Sequence, residues 1–470
     1  MADNDSFDLV VIGGGPAGYV GAIRAAQLGL KVACVERDAL GGVCLNWGCI
    51  PTKALLAGAE LYVRLRHEAA DWGILADNVR HDWSRVIARS RGVAGNLNRG
   101  IAGLFRKHGV THLEGRAVVS GRDRVRVVED GGAARDLATR NVLVATGARP
   151  RTLPGVAFDG ERVIHSRHAM SLATQPKRLL IIGAGAIGME FAYFYHAYGT
   201  EVVIVEMLDH LLPVEDEEVS RAMEKAWRKL KIETHTATKT LDVQSGDDGV
   251  TLTLAPVTDP GATRTVTGDA VLVAIGVEGS FDDLFDGVSV EVEKGHIRVD
   301  RSTYQSSVPG IFAAGDVIGP PWLAHVASEE AIVCVERIAG HDPTPIDYEA
   351  IPGCTYCQPQ VASLGLTERA CRDQGIEYRV GKFPFQASGK AQAIGATQGF
   401  VKIIASAAHD EILGAHMVGE SVTELLAELG LARRLEATAS EVIATMHAHP
   451  TLSEAVHEAA LGVRGEMIHF

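Results

Sequence analysis

Short apolar runs separated by glycine-rich turns recur along this chain and predict parallel β-strands with helices between them. Residues 7–12 form the first run, a glycine-rich turn follows, and a helical stretch extends to about residue 28. A second apolar run, residues 31–35, ends at Glu36. Unbroken apolar runs of this length are typical of strands that a parallel sheet buries on both faces. The pattern therefore predicts the order strand, turn, helix, strand at the start of the chain.

The same order of elements returns near the middle of the chain. The pattern predicts a strand at 178–182, a glycine-rich turn at 183–188, a helix at 189–198 and a strand at 201–205 that ends at Glu206. The repeat is one of architecture rather than of sequence. Two such units in one chain predict two bound dinucleotides.

The remaining apolar runs extend this α/β pattern to the end of the chain. Further strands are predicted at 141–147, 270–276, 311–316, 359–366 and 400–404, and C-terminal helices at 422–434, 440–446 and 452–461. Residues 149–155 and 342–345 are predicted linkers. The elements together predict an α/β protein with two Rossmann-like dinucleotide-binding domains and a C-terminal α+β domain.

Both glycine-rich turns have the G-x-G-x-x-G spacing of dinucleotide-binding loops, with the required strand before and helix after. The first glycine permits the tight turn, the second lets the backbone approach a pyrophosphate, and the third permits close packing of helix and strand. The helix N-terminus presents N–H groups to the phosphates. The predicted binding residues are Gly13, Gly15, Gly18 and Glu36 in the first unit and Gly183, Gly185, Gly188 and Glu206 in the second.

The acidic residue after each loop predicts which nucleotide binds. Glu36 and Glu206 follow their loops by about twenty residues, the distance at which a carboxylate binds ribose hydroxyls. A carboxylate at Glu206 would repel a 2′-phosphate. The second site is therefore predicted to prefer NAD over NADP.

Two cysteines separated by four residues form the most informative segment, GGVCLNWGCIPTK at 41–53. An ideal helix turns through about 500° over five residues, so Cys44 and Cys49 would not face each other squarely in an unbroken helix. Gly48 permits the irregularity that brings the sulfurs together. A helix N-terminus stabilises a thiolate, so we expect a lowered thiol pKa. Lys53 lies one helical turn after Cys49 and can add a positive charge on the same face.

Composition and charge exclude several classes of function. The formal net charge of −14 argues against binding to a phosphate backbone. No apolar run reaches 18 residues and the N-terminal residues lack the pattern of a secretion signal, so we expect neither a membrane partner nor export, and a cytoplasmic location. Seven cysteines in a long chain do not indicate a structural disulfide framework, so any disulfide is expected to be catalytic.

The CLNWGCIPTK segment at 44–53 resembles the active-site motif of the pyridine nucleotide-disulfide oxidoreductases. Within that family it is most similar to the dihydrolipoamide dehydrogenases, since glutathione and mercuric reductases more often carry valines where this chain has Leu45 and Ile50. The resemblance covers essentially the whole chain. It implies FAD and NAD as cofactors, and oxidation of protein-bound dihydrolipoamide to lipoamide with reduction of NAD+ to NADH.

The resemblance also implies domains and partners. The implied domains are an FAD-binding domain at 1–150, an NAD-binding domain at 151–280, a central domain at 281–349 that completes the FAD site, and a dimerisation domain at 350–470. A homodimer with a shared active site is expected. The lipoyl group is expected on another chain, either the acyltransferase of a 2-oxoacid dehydrogenase complex or the lipoyl protein of glycine cleavage.

The roles of individual residues follow from the same resemblance. Cys44 is the implied interchange thiol and Cys49 the flavin-facing thiol in charge-transfer contact, while Lys53 sits near the reactive flavin nitrogen and pairs with Glu190. The other implied FAD contacts are Thr146, Gly147, Asp316, Leu323, Ala324 and His325, and Gly276 is an implied NAD contact. For His325, an ordinary core or capping histidine is an equally good interpretation.

A histidine near the C-terminus is the predicted general base. Thiol–disulfide exchange needs a thiolate, and a histidine can remove the proton. Pro450 disfavours helical geometry at His449, so the ring can project from a break between helices. Glu454 can orient that ring, and the resemblance assigns base and partner to this pair, with the histidine reaching the cysteines of the other subunit. Residues 451–454 also match a capping box, and His447 is predicted to be structural.

Two further features complicate the prediction. Family members usually have Arg-x-Pro-Asn after the glycine at 276, whereas this chain has VEGS at 277–280, which puts contacts at the nucleotide-domain boundary in doubt. Cys354 and Cys357 form a CxxC, but no second ligand pair completes a zinc site, so no metal is predicted. The remaining cysteines, Cys34, Cys334 and Cys371, are predicted packing residues.

Two other functions compete with the leading one. A related reductase of another disulfide or of mercuric ion would use the same cysteines, but the C-terminal residues lack the extra cysteine pair that mercuric and large thioredoxin reductases use, and Glu206 disfavours NADP-linked glutathione reduction. A flavoprotein scaffold without activity would not need Cys44, Cys49, His449 and Glu454.

Overall fold

The computed structural model describes residues 6–129 and 131–470 and divides the chain into two compact units, each assembled from three segments. The first unit comprises Met1–Leu55, Ser84–Leu153 and Gly276–Ile346, and the second comprises Leu56–Trp83, Pro154–Ile275 and Asp347–Phe470. The first glycine loop and the cysteine pair lie in the first unit. The second loop and the C-terminal histidine lie in the second.

A seven-stranded sheet forms the core of the first unit. Its strands in spatial order are Thr111–Glu114, Val32–Glu36, Ser6–Ile12, Ala134–Val144, Arg124–Val128 and Arg116–Gly121, with Ile311–Ala313 also paired to Ala134–Val144. The central pairs are parallel, and Val10 lies opposite Ala33 on one side and Val142 on the other. All three side chains are fully buried, which is why the strands read as unbroken apolar runs.

Helices cover this sheet, and short ladders complete the first unit. The helices are Pro16–Gln27, Gly42–Trp47, Cys49–Val63 (which ends in the second unit), Trp83–His108 and Ala324–Ile338, and a 3-10 turn lies at Asp316–Ile318. One two-stranded ladder pairs Ala148–Pro150 with Val277–Gly279, and the other pairs Val292–Glu293 with His296–Ile297. Gly21 lets the first helix pack closely, because a Cβ there would lie 3.2 Å from the Cβ of Ala331.

The second unit contains a parallel sheet and two antiparallel sheets. The strands of the parallel sheet, in spatial order, are Glu233–His235, Glu201–Val205, Arg178–Ile182, Ala270–Val273 and Val163–Ile164. The first antiparallel sheet consists of Thr238–Gly246, Gly249–Pro256 and Arg264–Gly268. The second consists of Gly353–Thr355, Gln360–Gly365, Ile412–Gly419, Phe400–Ser406 and Tyr378–Pro384. Its helices are Ser166–Ala169, Ala186–Ala197, Glu217–Lys229, Glu368–Asp373, Gly389–Ala393, Val422–Arg434, Ala439–Ala444 and Glu454–Val463, with short π or 3-10 turns at Arg64–Glu68, Ala69–Trp72, Tyr348–Ala350 and Phe385–Ala387. No helix within residues 6–129 and 131–470 is long and apolar enough to cross a membrane.

Most predicted elements occur in the structure, and one prediction was partly wrong. The segment 149–155 was expected to be a linker, but Ala148–Pro150 is a strand whose antiparallel partner is Val277–Gly279. Both strands are short and lack an apolar pattern of their own. Their pairing depends on residues far apart in the sequence, so no local signal predicts it.

A fully buried lysine forms ion pairs with carboxylates from other elements of the second unit. Lys402 lies on the strand Phe400–Ser406, and its Nζ is 2.8 Å from Asp216 Oδ1, 2.9 Å from Glu218 Oε2 and in hydrogen-bond contact with Glu368. Burial alone would raise the pKa of Asp216, but the hydrogen bond and charge of Lys402 hold it below its ordinary value. A carboxyl with a lowered pKa stabilises the fold above its ordinary pKa, and that contribution is lost as the pH falls through the lowered value.

Replacing Lys402 by methionine is expected to lower the free energy of unfolding by about 3–5 kcal/mol, because it removes the buried cation that three clustered carboxylates share and leaves only Glu218 with another lysine, Lys382. The control is Lys382→Met, which removes a half-exposed lysine 2.6 Å from Glu218 and is expected to cost less than about 1 kcal/mol. Urea unfolding at neutral pH measures both. Equal losses in the two variants would show that the cluster contributes no more than a surface ion pair.

Candidate active site

The first glycine loop has a backbone that only glycine can adopt. Gly13 has φ +102°, and a Cβ there would lie 2.3 Å from the carbonyl oxygen of Ala145. A Cβ at Gly18 would lie 1.8 Å from the Gly13 oxygen, so the helix Pro16–Gln27 packs tightly against the strand before it. Glu36 holds this loop, because its Oε2 accepts a hydrogen bond from the Gly14 N–H at 2.6 Å.

The second glycine loop repeats this construction in the second unit. Gly183 has φ +103°, and a Cβ at Gly188 would lie 2.0 Å from the Gly183 oxygen. Glu206 is buried and accepts hydrogen bonds from the N–H groups of Ala184 at 2.7 Å and Leu208 at 2.8 Å. A Cβ at Gly185 would meet no atom within 4 Å, so there is space in front of the helix that begins here.

The two cysteines lie on either side of a break between two helices. Cys44 lies in Gly42–Trp47, Cys49 begins Cys49–Val63, and Gly48 between them leaves helical geometry with φ −142° and ψ −117°. Each is half-buried and carries a thiol rather than a disulfide, and the two thiols are hydrogen-bonded to each other. The break therefore provides the proximity that an unbroken helix would not.

The cysteine segment begins directly beside the first dinucleotide loop. A Cβ at Gly42, whose φ is +55°, would lie 2.6 Å from the Cα of Gly15. Only glycine at this position lets the two segments approach so closely. A dinucleotide on the first loop would thus lie near the thiols within the same unit.

The expected lowering of the thiol pKa is wrong for Cys44. The hydrogen bond to Cys49 raises the pKa of Cys44, and burial and the nearby charges of Cys49 and Asp316 raise it further, while Lys53 lowers it. A helix N-terminus favours the thiolate, but the neighbouring sulfur and burial oppose it. In the dithiol state the neighbouring sulfur dominates, so Cys44 holds a proton.

Two polar residues that the sequence reasoning missed hold the cysteine segment in place. The buried Asn46 donates from Nδ2 to the carbonyl oxygens of Leu40 at 2.9 Å and Gly42 at 3.0 Å. Thr52 donates to the Gly48 oxygen at 2.7 Å, across the break. The sequence could have identified these two residues, because both are polar and lie inside a segment that is otherwise largely apolar. They stabilise the arrangement of the two thiols.

Asp316 lies at the end of a buried strand near the cysteines. The strand is Ile311–Ala313, and the next residues turn at Gly315, whose N–H donates to Glu330 Oε2 at 2.7 Å. Burial raises the pKa of Asp316 to about 6. Its charge also contributes to the raised pKa of Cys44, which places the carboxyl within electrostatic range of that thiol.

The remaining predicted contacts of the first unit lie in turns and at a helix start. The Thr146 hydroxyl is buried and has no hydrogen-bond partner in the part of the chain that the structure describes. Gly147 has φ +71° and Gly276 φ +100°, and both have open space where a Cβ would be. Leu323 occupies the N-cap position of the helix Ala324–Ile338 without a side-chain capping bond. His325 is exposed in the first turn of that helix, which contradicts the core-histidine interpretation.

Glu190 lies in the second unit, in the helix Ala186–Ala197. Its side chain is buried and accepts a hydrogen bond from the Tyr356 N–H at 3.1 Å. The pairing with Lys53 stays a prediction. Close by, Cys354 is hydrogen-bonded to the Tyr356 side chain, and Cys357 is buried with Sγ 3.6 Å from the Pro359 oxygen.

The structure brings His449 and Glu454 together. The Nδ1 of His449 is 2.8 Å from Glu454 Oε1, and the ring projects into solvent between the helices Ala439–Ala444 and Glu454–Val463. Glu454 Oε2 also accepts the N–H of Thr451 at 2.9 Å. The capping-box interpretation of residues 451–454 is wrong, because the helix begins at Glu454 with Ser453 at its N-cap, and Thr451 Oγ1 bonds Ala448 and Ser453 instead of the Glu454 N–H. One oxygen of Glu454 is thus used for the His449 ring and the other for the Thr451 backbone. Burial raises the pKa of Glu454, yet the bonds from Thr451 and His449 hold it below its ordinary value.

The segment at 277–280, which departs from the usual family motif, contains an acidic residue that forms an ion pair. Glu278 lies 2.8 Å from Arg149 Nε, and Arg149 also contacts Asp282. The acid that stands beside the usual arginine position is thus paired within the first unit. This ion pair spans the ladder between Ala148–Pro150 and Val277–Gly279.

Comparison with known proteins agrees with this geometry. Residues 7–331 match the pyridine nucleotide-disulphide oxidoreductase family, and residues 351–460 match the dimerisation domain of that family. The chain belongs to this family. Within it, the chain is 46% identical over 455 residues to the dihydrolipoyl dehydrogenase of Chlorobaculum tepidum, covering 97% of this chain and 96% of the relative. It is 45% identical over 471 residues to that of Zymomonas mobilis, covering 99% and 100%.

A solved structure shows the same fold. The crystal structure of LpdA from Mycobacterium tuberculosis is 27% identical, with a TM-score of 0.88 over 96% of this chain and 98% of that chain. Similar dihydrolipoyl dehydrogenases include bacterial and mitochondrial proteins, such as those of Bacillus subtilis and Pisum sativum. These findings confirm the predicted fold class and the predicted assignment to the dihydrolipoyl dehydrogenases.

Proposed function

We propose that this chain oxidises protein-bound dihydrolipoamide to lipoamide and reduces NAD+ to NADH with the help of FAD. The observation that carries the proposal is the pair of hydrogen-bonded thiols, Cys44 and Cys49, at a helix break beside the first dinucleotide loop. A dithiol that can close to a disulfide next to a dinucleotide is suited to exchange electrons between substrate sulfur and a cofactor.

The residues of the first unit fit FAD. The loop from Gly13 to Gly18 leaves the backbone open to a pyrophosphate, and Glu36 is placed for a ribose. The buried hydroxyl of Thr146 lacks a protein partner among the described residues, and the buried carboxyl of Asp316 has a raised pKa, so both are suited to bond polar groups of a ligand. When bound, the flavin accepts the electron pair of the thiols and supplies it to the nicotinamide.

The chain's own residues carry out the sulfur chemistry. A substrate thiolate attacks Cys44 of the Cys44–Cys49 disulfide, which forms a mixed disulfide and releases Cys49 as a thiolate. The second substrate thiol displaces Cys44, so lipoamide leaves with its own disulfide closed. Cys44 then takes up a proton, in keeping with its raised pKa. Lys53 balances the negative charge that develops on the sulfurs.

His449 acts as the general base for the substrate thiols. Its ring is oriented by Glu454 at 2.8 Å and is exposed, so it can take the proton from a dihydrolipoamide thiol. Glu454 stabilises the positive charge that the ring then carries. Because the chain carries the family's dimerisation domain, we propose a homodimer in which this pair serves the cysteines of the other subunit.

The proposed partner is a lipoyl-bearing protein, either an acyltransferase of a 2-oxoacid dehydrogenase complex or the lipoyl protein of glycine cleavage, and the proposed location is the cytoplasm. A pull-down of lipoylated proteins with the purified dimer would identify which complex it serves. Recovery of no lipoylated protein would contradict this partner.

The activity test uses purified protein with dihydrolipoamide and NAD. We expect NADH to form at the rate at which dihydrolipoamide is consumed, and the protein to be yellow. No NADH formation, together with NADPH-driven reduction of a different disulfide, would contradict the proposal. Mercuric ion and oxidised glutathione as acceptors separate the competing reductases.

The buried Glu206 predicts a strong preference for NAD. Its carboxylate is fixed by two backbone N–H groups, so a 2′-phosphate meets a charge that cannot move away. We expect kcat/KM for NAD to exceed that for NADP by about a hundredfold or more, and Glu206→Gln to narrow the ratio about tenfold, as removal of one like-charge contact would. Initial rates with both nucleotides measure this. Glu201 is an exposed carboxylate on the strand that precedes Glu206, and Glu201→Gln should leave the NAD/NADP ratio unchanged.

A further inference from the structure

The inner face of the helix Trp83–His108 carries two polar residues among apolar ones. Ala94 and Ile101 are buried on this face. Arg91 and Asn98 continue the same spacing of three and four residues, so they lie on the same face, and both are half-buried. Polar side chains that a helix turns towards the protein need hydrogen-bond partners there. The partners of these two residues therefore indicate what this face of the helix does.

Both polar residues donate hydrogen bonds to the backbone of the segment that contains Cys44. The Nη1 of Arg91 is 2.5 Å from the carbonyl oxygen of Asn46. The Nδ2 of Asn98 is 2.9 Å from the carbonyl oxygen of Leu40. These two carbonyl groups lie on either side of Cys44 in the sequence. The helix therefore holds the segment at both ends, and all of these contacts lie within the first unit.

The bond from Arg91 falls directly before the helix break that separates the two cysteines. Asn46 lies in the last turn of the helix Gly42–Trp47, and Gly48 follows as the break. Carbonyl groups in the last turn of a helix lack partners within the helix, and a cationic donor satisfies them well. Arg91 thus fixes the end of the helix that carries Cys44.

How firmly this turn is held affects the dithiol more than the disulfide. A disulfide between Cys44 and Cys49 ties the two sides of the break together covalently, whereas the dithiol joins them through a hydrogen bond between the thiols. Without Arg91, the dithiol would gain more freedom to move than the disulfide. That gain in conformational entropy would shift the equilibrium from disulfide towards dithiol.

We propose that Arg91 is a positioning residue for the cysteine pair: by holding the last helical turn before the break, it favours closure of the Cys44–Cys49 disulfide. The proposal rests on the proposed function, in which this pair alternates between dithiol and disulfide. Closure forms one S–S bond and removes two protons and two electrons from the thiols. With oxidised dithiothreitol as the acceptor, its own S–S bond breaks and takes up both protons and both electrons.

The test measures the thiol–disulfide equilibrium of the holoenzyme. The protein is equilibrated without oxygen in mixtures of reduced and oxidised dithiothreitol, and the free thiols of Cys44 and Cys49 are then alkylated and quantified by mass spectrometry. In Arg91→Met, which keeps the length of the side chain but removes the donor, the equilibrium constant for closure is expected to fall about tenfold, as for loss of one charge-assisted hydrogen bond. That corresponds to about 30 mV for a two-electron couple.

Three further variants separate positioning from a general structural role. Arg91→Lys keeps a charged donor and should restore most of the constant, while Arg91→Gln gives a change in the same direction as Arg91→Met and replaces it if the methionine variant does not fold. The matched control is Arg89→Met, because Arg89 lies on the same helix and its Nη1 is 2.9 Å from the carbonyl oxygen of Ala54, beyond both cysteines. An unchanged equilibrium in the folded Arg91 variants, or an equal change in Arg89→Met, would overturn the proposal.

This measurement does not depend on turnover, so the two proposals fail separately. The equilibrium is set by dithiothreitol and is read from the thiols of the protein, whatever its substrate is. If the wild type did not oxidise dihydrolipoamide but Arg91→Met still changed the equilibrium, the proposed function would fail and the role of Arg91 would stand. If the wild type were active and the equilibrium did not change, the role of Arg91 alone would be refuted.

Discussion

Replacing Cys44 by serine is expected to abolish NADH formation from dihydrolipoamide while FAD stays bound. Serine keeps the size of the side chain but cannot form the mixed disulfide, so turnover should fall by at least about a thousandfold. The FAD contacts that we propose lie in the glycine loop and at Thr146 and Asp316, not at Cys44, so the protein should remain yellow. The absorbance spectrum and a steady-state assay on the same preparation measure both outcomes.

The matched control for this change is Cys371→Ser. Cys371 is buried in the short helix Glu368–Asp373 and has no part in the proposed reaction, so its replacement should leave kcat nearly unchanged. Loss of FAD from Cys44→Ser would show that this cysteine is chiefly structural. Normal turnover of Cys44→Ser would remove the thiol from the reaction altogether.

Replacing His449 by glutamine is expected to lower turnover of dihydrolipoamide by about 10²- to 10⁴-fold, the range for loss of a general base. The ring is exposed and makes its described side-chain hydrogen bond to Glu454, so the fold should not change. The loss should diminish at high pH, because the substrate thiol then ionises without help. Steady-state rates from pH 6 to pH 9 measure it.

Two controls limit the interpretation of the His449 variant. His447→Gln changes a ring that bonds Glu428 and should reduce turnover far less. Reduction of an artificial electron acceptor by NADH does not require deprotonation of a dithiol, so that rate should stay close to wild type in His449→Gln. A parallel loss of both activities would mean that the substitution damages the cofactor sites rather than the base.

Much of the candidate site could be predicted because its signals are local in the sequence. The G-x-G-x-x-G spacing depends on contacts between residues five positions apart, such as the approach of Gly18 to the Gly13 oxygen. The buried strands are continuous apolar runs because both faces of the sheet are covered. The hydrogen bond between His449 and Glu454 likewise joins residues that are close along the chain.

Other properties depend on partners that are distant in the sequence. The strand at Ala148–Pro150 exists through its pairing with Val277–Gly279. Lys402 is a charged residue in an apolar strand, and only the three carboxylates that meet it explain its complete burial. No spacing rule identifies such partners, because the energy comes from groups that the fold brings together.

The sequence by itself therefore determined the class of fold, and it predicted the two dinucleotide loops and the side chains that we propose to react, since each prediction follows from short-range spacing and side-chain chemistry. Only the tertiary structure decided which way the pKa of Cys44 moves, how the two oxygens of Glu454 are shared, and which carboxylates surround Lys402. The physical reason is that electrostatic free energy depends on burial and on distances in space. Neither quantity is present in the order of residues alone.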